Sequence, residues 1–349
     1  MWREKGLIKV ITGVRRCGKS TLLRLFMDRL KDEGVPGEQI IALNLDDLRF
    51  SDLLDFRNLH DYVNSRTIED KPAFVFIDEI RNCPDFEKAI SSLFLKANLD
   101  IYLTGSNAHI LSGELATKLS GRYVKIDMLP LSFREYGKIV KITDKRERFL
   151  QFMNMGSFPD AAHIADDDLA SGQYLEGVYS TVLVKDILDR KSIGDATLLK
   201  SVASFLAHYV GSPVTANRIA STLAGMGRRP TSPATIGTYL EALSDSYLFY
   251  KVDRYDIKGK AHLKTENKYY ICDTWLRNMT LNAFNKDIGR QIENLVFLEL
   301  SRRGNRVDIG KAGRGTEIDF VAVSNRGTEY YRSRPRSWMM TFWNVSSRP

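Results

Sequence analysis

Cysteine and histidine are scarce, three and five respectively in 349 residues. Cys17, Cys83 and Cys272 form no C-x-x-C pair and the histidines stand apart, so the spacing offers no structural zinc site and no disulfide framework. Long hydrophobic runs are missing too. No apolar stretch approaches the roughly 20 residues that a membrane span needs, and the opening "MWREKGLIKV" has no signal-peptide core. These absences predict a cytoplasmic chain in a reducing compartment, with no membrane partner. Internal repeats and low-complexity segments are lacking as well. A surplus of one charge is only mildly present: the net charge is +8, but half of that excess sits in the last 18 residues, where Arg332, Arg334, Arg336 and Arg348 meet no acid. Global charge is therefore a weak argument for nucleic acid.

What is present is enough for a packed core, with 43% hydrophobic and 27% charged residues over a length that suggests two or three domains. Near the start, "VITGVRRCGKSTLL" contains G-x-x-x-x-G-K-[ST] from Gly13 to Ser20. Glycines at the two ends let the backbone curl so that successive N–H groups point inward at a phosphate. Lys19 brings a point charge to the β- and γ-phosphates, and the Ser20 hydroxyl is a Mg²⁺ ligand. The candidate nucleotide contacts are Gly13, Val14, Arg15, Arg16, Cys17, Gly18, Lys19, Ser20 and Thr21. The flanks agree: Leu7–Thr12 reads as a buried strand and Ser20–Leu30 as an amphipathic helix, whose positive end faces the same anion.

Further along, strand candidates lie at Glu38–Leu48, Lys71–Ile80, Asp100–Asn107 and Tyr123–Met128, with helical stretches between them. This alternation predicts an α/β fold, a P-loop NTPase parallel sheet with helices on both faces. Ligand groups in such sheets gather at the carboxyl ends of strands. "FVFIDEI" ends one strand in Asp78, a second candidate metal ligand, and Glu79, the candidate base for an attacking water. Ser106 and Asn107 end the next, and Asn107 is the candidate contact to the γ-phosphate or the water. Charge developing on the γ-phosphoryl group calls for an arginine, in cis or from a neighbour. Arg122 in "SGRY" is the first choice, with Arg81, Arg15 and Arg16 behind it. The guanine-reading N-K-x-D is missing, so ATP is the expected nucleotide.

From Glu135 to Val210 the pattern is helical. Val214–Gly225, a Gly/Arg/Pro-rich turn and Ser232–Val252 then read as helix, turn, helix, strand. As a winged helix over Val214–Lys268, this segment would present Arg228, Arg229, Thr235, Thr238 and Tyr239 to a major groove. Lys251, Arg254, Lys258, Lys260 and Lys264 would line the wing and meet phosphates. Lys251–Lys268 holds six basic and three acidic residues, a modest surplus. The alternative is a protein-contact module.

The ordered series "LIKVITGVRRCGKSTLL", "FVFIDEI", "LTGSNA", "SGRYVKIDMLPLSFREY", "KYYICDTWLRN", "GRQIENLVFLELSRRG" and "EIDFVAV" resembles the AAA-like predicted ATPases of bacteria and archaea. Those proteins carry a C-terminal domain of unknown function with a winged helix and a nuclease-like fold, and the resemblance runs from about Trp2 to Tyr331. It implies ATP binding, hydrolysis and homo-oligomerisation. The organisation it suggests is an ATPase domain at 1–135, a helical linker at 136–210, a winged helix at 211–275, a truncated restriction-nuclease-like α/β region at 285–331 and an aberrant or disordered tail at 332–349. Glu293 and Asp319 match two metal-binding positions of the nuclease fold. Arg332 and Ser333 stand where its acid and lysine belong, so ordinary salt bridging is the expectation for Glu293 and Asp319. The tail has neither period nor turn logic, as a frame-shifted or truncated end would have, or a basic arm. The leading expectation is an ATPase that couples turnover to the C-terminal module, with DNA or a protein as partner. The rivals are a nucleotide-switched binding regulator with little hydrolysis and, more weakly, an ATP-dependent nuclease.

Overall fold

Strands β1 (Ile8–Thr12), β3 (Ala73–Asp78) and β4 (Leu99–Gly105) are almost wholly buried, which is why they read as continuous apolar runs rather than alternating ones. A computed structural model describes residues 6–68, 71–111, 119–188, 193–256, 261–281, 287–311 and 317–331. The chain divides into two units, Met1–Met128 and Leu129–Pro349. The tail 332–349 lies outside the described residues, as do Lys258 and Lys260.

In the first unit, β2 (Ile40–Asn44) and β5 (Tyr123–Asp127) complete a five-stranded sheet in the order β2-β3-β4-β1-β5. Every pairing is parallel. Side chains alternate between faces along each strand, and each face has its own cover. Leu23 and Leu30 of α1 (Lys19–Asp32) pack on Ile11, Phe74, Phe76 and Tyr102. On the other face, Leu59 and Val63 of α2 (Phe56–Arg66) and Ile90 and Leu93 of α3 (Phe86–Leu93) pack on Ile8, Val10, Val75, Ile77 and Leu103. One charge breaks the apolar run of β1. Lys9 is fully buried, paired with Asp100, and 5.1 Å from the centroid of the Tyr102 ring; the Tyr102 hydroxyl donates to the other Asp100 oxygen at 2.8 Å. A buried charge persists only when paired and hydrogen-bonded in this way.

The second unit opens with helices α4 (Phe133–Ile139), α5 (Lys145–Met155), α6 (Pro159–His163) and α7 (Asp168–Thr181). A π-helical turn, Val182–Leu188, follows. Next come α8 (Ala196–His208), α9 (Ala216–Gly225) and α10 (Pro233–Asp245), which pack on one another. Short polar side chains start them: Asp195, Thr215 and Ser232 each accept a backbone N–H of the first turn. The hairpin β6 (Phe249–Asp256) and β7 (Ala261–Ile271) leads to α11 (Thr274–Thr280) and α12 (Ile288–Arg302), then to β8 (Arg306–Lys311), β9 (Glu317–Ser324) and β10 (Gly327–Tyr331). The hairpin does not stand alone. The second sheet runs β10-β9-β8-β6-β7, with β6 parallel to β8, so it crosses the boundary drawn between 275 and 285.

Polar side chains knit this unit from inside. Asp273, completely buried, accepts from the Ser157 amide at 2.6 Å and hydroxyl at 2.7 Å, and from the Trp275 and Leu276 amides at 2.9 and 3.2 Å. Gly156 is required beside it: its φ is +76°, and a Cβ there would lie 2.4 Å from Asp273 Oδ1. Asn294 bonds both backbone groups of Ile271, and Gln291 donates to Asn278 at 2.8 Å.

Candidate functional site

The loop between β1 and α1 is shaped by close approach. A Cβ on Gly13 would lie 2.1 Å from the Met128 carbonyl oxygen, so only glycine fits. Gly18 takes the left-handed conformation, φ +104°, at the α1 N-cap and provides no side-chain cap, and no acid stands in the first turn. Most other described helices cover those first amides with Asp, Ser or Thr, whereas the first amides of α1 carry no side-chain cap. Lys19 folds back with its Nζ 3.0 and 3.1 Å from the carbonyl oxygens of Gly13 and Val14, which holds the ammonium inside the loop. Arg16 (φ +67°), Ser20 and Thr21 are exposed, and Arg15 is half-buried. Cys17 is buried, and burial lifts its thiol above its ordinary pKa despite the pull of Lys19. A protonated, buried thiol is packing rather than a nucleophile.

Parallel register carries the other groups to the same end of the sheet. Thr12, Asp78 and Gly105 are the last or nearly last residues of their strands. Asp78 is buried and accepts a hydrogen bond from the Thr104 hydroxyl, and that oxygen in turn accepts from the Glu79 amide at 3.0 Å. Glu79 adopts φ +51°, ψ +46°, a left-handed backbone that costs a non-glycine residue about 1–3 kcal/mol and collects at functional sites. Its carboxylate accepts from the Ser106 hydroxyl. Asn107 follows, with 1% of its surface exposed. Thr104 escaped the sequence reading, because its role depends on the β3–β4 register and not on any motif. Ser106, passed over in favour of Asn107, is the residue that holds Glu79.

Arg122 is a correction for the cis arrangement. Tyr123 pairs with Ile8 and Asp127 with Thr12, so Arg122 lies beside the start of β1, where its carbonyl accepts the Ile8 amide at 2.9 Å. Its guanidinium sits 5.7 Å from the centroid of the Phe94 ring. The length of β5, about 15 Å at ~3.3 Å per residue, separates it from the loop of its own chain. Arg81, in the turn after Glu79, is half-buried.

In the second unit, Tyr239 is also corrected. It is buried, with its hydroxyl 3.5 Å from the Asp195 carbonyl oxygen, and does not face outward. Arg228, Arg229, Thr235, Thr238 and Lys251 are exposed, while Arg254 pairs with Glu266. Lys264 lies in β7. Glu293 is buried, accepts from the Tyr270 hydroxyl at 2.8 Å and faces Lys268 at 3.7 Å. Asp319 is half-buried on β9. Among the described residues no group of three or more His, Cys, Asp or Glu is placed to hold a metal ion, and no helix is long and apolar enough to cross a membrane. Arg332 and Ser333 lie outside the described residues.

Residues 5–137 match an AAA domain, and residues 146–287 match a Domain of unknown function (DUF8612). An uncharacterized protein of Haemophilus influenzae is 39% identical over 327 residues, covering 92% of this chain and 80% of its own. The uncharacterized protein MJ1544 of Methanocaldococcus jannaschii is 31% identical over 333 residues, covering 90% of this chain and 71% of its own. Among solved structures, the Walker-type ATPase PABY2304 of Pyrococcus abyssi shares the fold, with a TM-score of 0.54 at 16% identity over 79% of this chain and 91% of that one. A P-loop between β1 and α1, two acids ending β3 and the AAA match coincide on one sheet edge, and the chain belongs to the family of these bacterial and archaeal proteins, which joins an AAA-like P-loop ATPase domain to a C-terminal region of unknown function.

Proposed function

We propose that the first unit binds ATP with Mg²⁺ and hydrolyses it. The residues fit such a ligand: the close Gly13 contact keeps the loop tight, the α1 amides carry no side-chain cap, and Lys19 already points its ammonium into the loop. Ser20 and Asp78 would hold the cation, which supplies charge neutralisation across the phosphates when bound. Glu79 would orient a water and take its proton, with its carboxylate aimed by Ser106. Asn107, at the same strand end, would meet the γ-phosphate or the water. Arg122 would act only from a neighbouring copy in a homo-oligomer, since in its own chain it lies at the other end of β5. The observation that carries the reading is the convergence of three neighbouring strand ends, those of β1, β3 and β4, on one edge.

Steady-state phosphate release from ATP with Mg²⁺ tests it, in wild type, Lys19→Ala and Arg122→Ala. Hydrolysis predicts turnover that falls to background in Lys19→Ala. Equal turnover in Lys19→Ala and wild type would overturn it. Action of Arg122 in trans predicts that mixing Lys19→Ala with Arg122→Ala restores part of the activity.

A second reading concerns the C-terminal module. The α8–α9–α10 arrangement followed by a hairpin supports a winged helix, with Arg229, Thr235 and Thr238 exposed at or near α10 as its duplex contacts. Fluorescence anisotropy of a labelled DNA duplex tests this. A salt-dependent affinity weakened by Arg229→Glu supports it, and indifference to that substitution removes it in favour of a protein partner.

A further inference from the structure

Helix α8 presents Lys200, Ser204 and His208 at four-residue intervals, a stripe along one side. That stripe borders a cavity of about 530 Å³, within the range of small-molecule sites. Its apolar wall includes Phe205 and Leu223, and Arg228 comes from the turn after α9. The charges are one-sided: Lys200 and Arg228 line the cavity beside the His208 ring, and among the described residues no acidic side chain does. Among the described residues neither the Lys200 nor the Arg228 side chain makes a hydrogen bond or an ion pair. Beyond the wall, the Arg218 guanidinium stacks 4.7 Å from the centroid of the Tyr209 ring, adding to the positive potential.

An apolar wall selects an apolar body, and unpaired cations at its rim select a negative group on that body. We propose that this cavity binds an amphipathic organic anion, a ring-sized apolar molecule bearing one carboxylate, sulfonate or phosphate. The sulfonate, or its equivalent, sits between Lys200 and Arg228, and the apolar body lies against Phe205 and Leu223. The site belongs to the second unit and does not depend on nucleotide chemistry.

Two fluorescent probes with the same rings separate charge from greasiness: 1-anilinonaphthalene-8-sulfonate and N-phenyl-1-naphthylamine, which lacks the sulfonate. Each is titrated into the full chain, into the Lys200→Glu/Arg228→Glu double variant and into Ser204→Trp, whose indole obstructs the cavity from the α8 side. The expected result is one saturable sulfonate-probe site per chain, with the neutral probe bound at least about tenfold more weakly. The double variant loses about tenfold in sulfonate-probe affinity, consistent with two surface charge contacts, and keeps its affinity for the neutral probe. Ser204→Trp weakens both. Lys19→Ala leaves every isotherm unchanged, so the result stands apart from the nucleotide reading. Equal affinity for the two probes, or sulfonate-probe binding indifferent to charge reversal, overturns the proposal. The double variant alters only exposed side chains, so it keeps the test decisive if Ser204→Trp fails to fold.

Discussion

Each unit holds a pair of acids, and the two pairs are held in opposite ways. Asp273 is enclosed by backbone and hydroxyl donors on both oxygens, and Glu293 is pinned by Tyr270 and Lys268. Asp78 and Glu79 are each met, among the described residues, by one neutral hydroxyl, from Thr104 and Ser106. An acid saturated with donors is a brace whose energy is spent on shape. An acid touched by one hydroxyl keeps lone pairs for a cation or a water. The same residue types are thus braced in the second unit and, on the function proposed above, left open for chemistry in the first.

Glu79→Gln should break this contrast most visibly. It keeps the size and the acceptor for Ser106 but cannot take a proton, so kcat for ATP should fall about a hundredfold or more with ATP affinity retained. Retained turnover would return Glu79 to the structural class. Asp273→Ala should do the reverse. It strips the partner from four buried donors and the cap from α11, and should destabilise the second unit by about 3 kcal/mol, read as a shift in its urea transition. Smaller still is Ser106→Ala, which frees the Glu79 carboxylate without removing it. Turnover should drop about five- to tenfold, the kinetic equivalent of one hydrogen bond of ~1 kcal/mol.

The subtlest test is titration. Burial raises the Asp273 carboxyl above its ordinary 3.8, while the Ser157, Trp275 and Leu276 donors pull it back. A raised native pKa means that the folded chain keeps a proton the unfolded chain has released. That contribution is full below the ordinary value and is lost as pH rises through the native one. The stability advantage of wild type over Asp273→Asn should therefore shrink on going from pH 4 to pH 7, in paired urea melts. An advantage that grows over that interval would mean that the donors, not burial, control this carboxyl.

Much of the first unit was legible because its signals are local. The buried runs around Ile8–Thr12, Ala73–Asp78 and Leu99–Gly105 read as strands, and Gly13–Ser20 reads as a loop because glycine and lysine have few other reasons to fall at that spacing. What stayed hidden depends on pairing across strands. Thr104 meets Asp78 only through the β3–β4 register, and Lys9 could not be matched with Asp100, 91 positions away. The place of Arg122 was hidden for the same reason: parallel register, not any local signal, carries it to the far end of the sheet from the loop of its own chain. In the second unit, the two helices around the Gly/Arg/Pro-rich turn were visible in the local pattern, whereas the β6–β8 pairing joins segments more than fifty residues apart and leaves no local trace.

That pairing has a consequence for how the chain is made. Once Asp127 has left the ribosome, all five strands of the first sheet are present and it can close. The hairpin β6–β7 emerges much later, with the inner edge of β6 bare, and must wait for α11, α12 and β8 before Arg254–Asp256 find Ile309–Lys311. During that interval an unpaired strand edge is offered to any other chain nearby. Synthesis that stalls between residues 275 and 305 should leave a finished first unit tethered to a sticky, half-built second one.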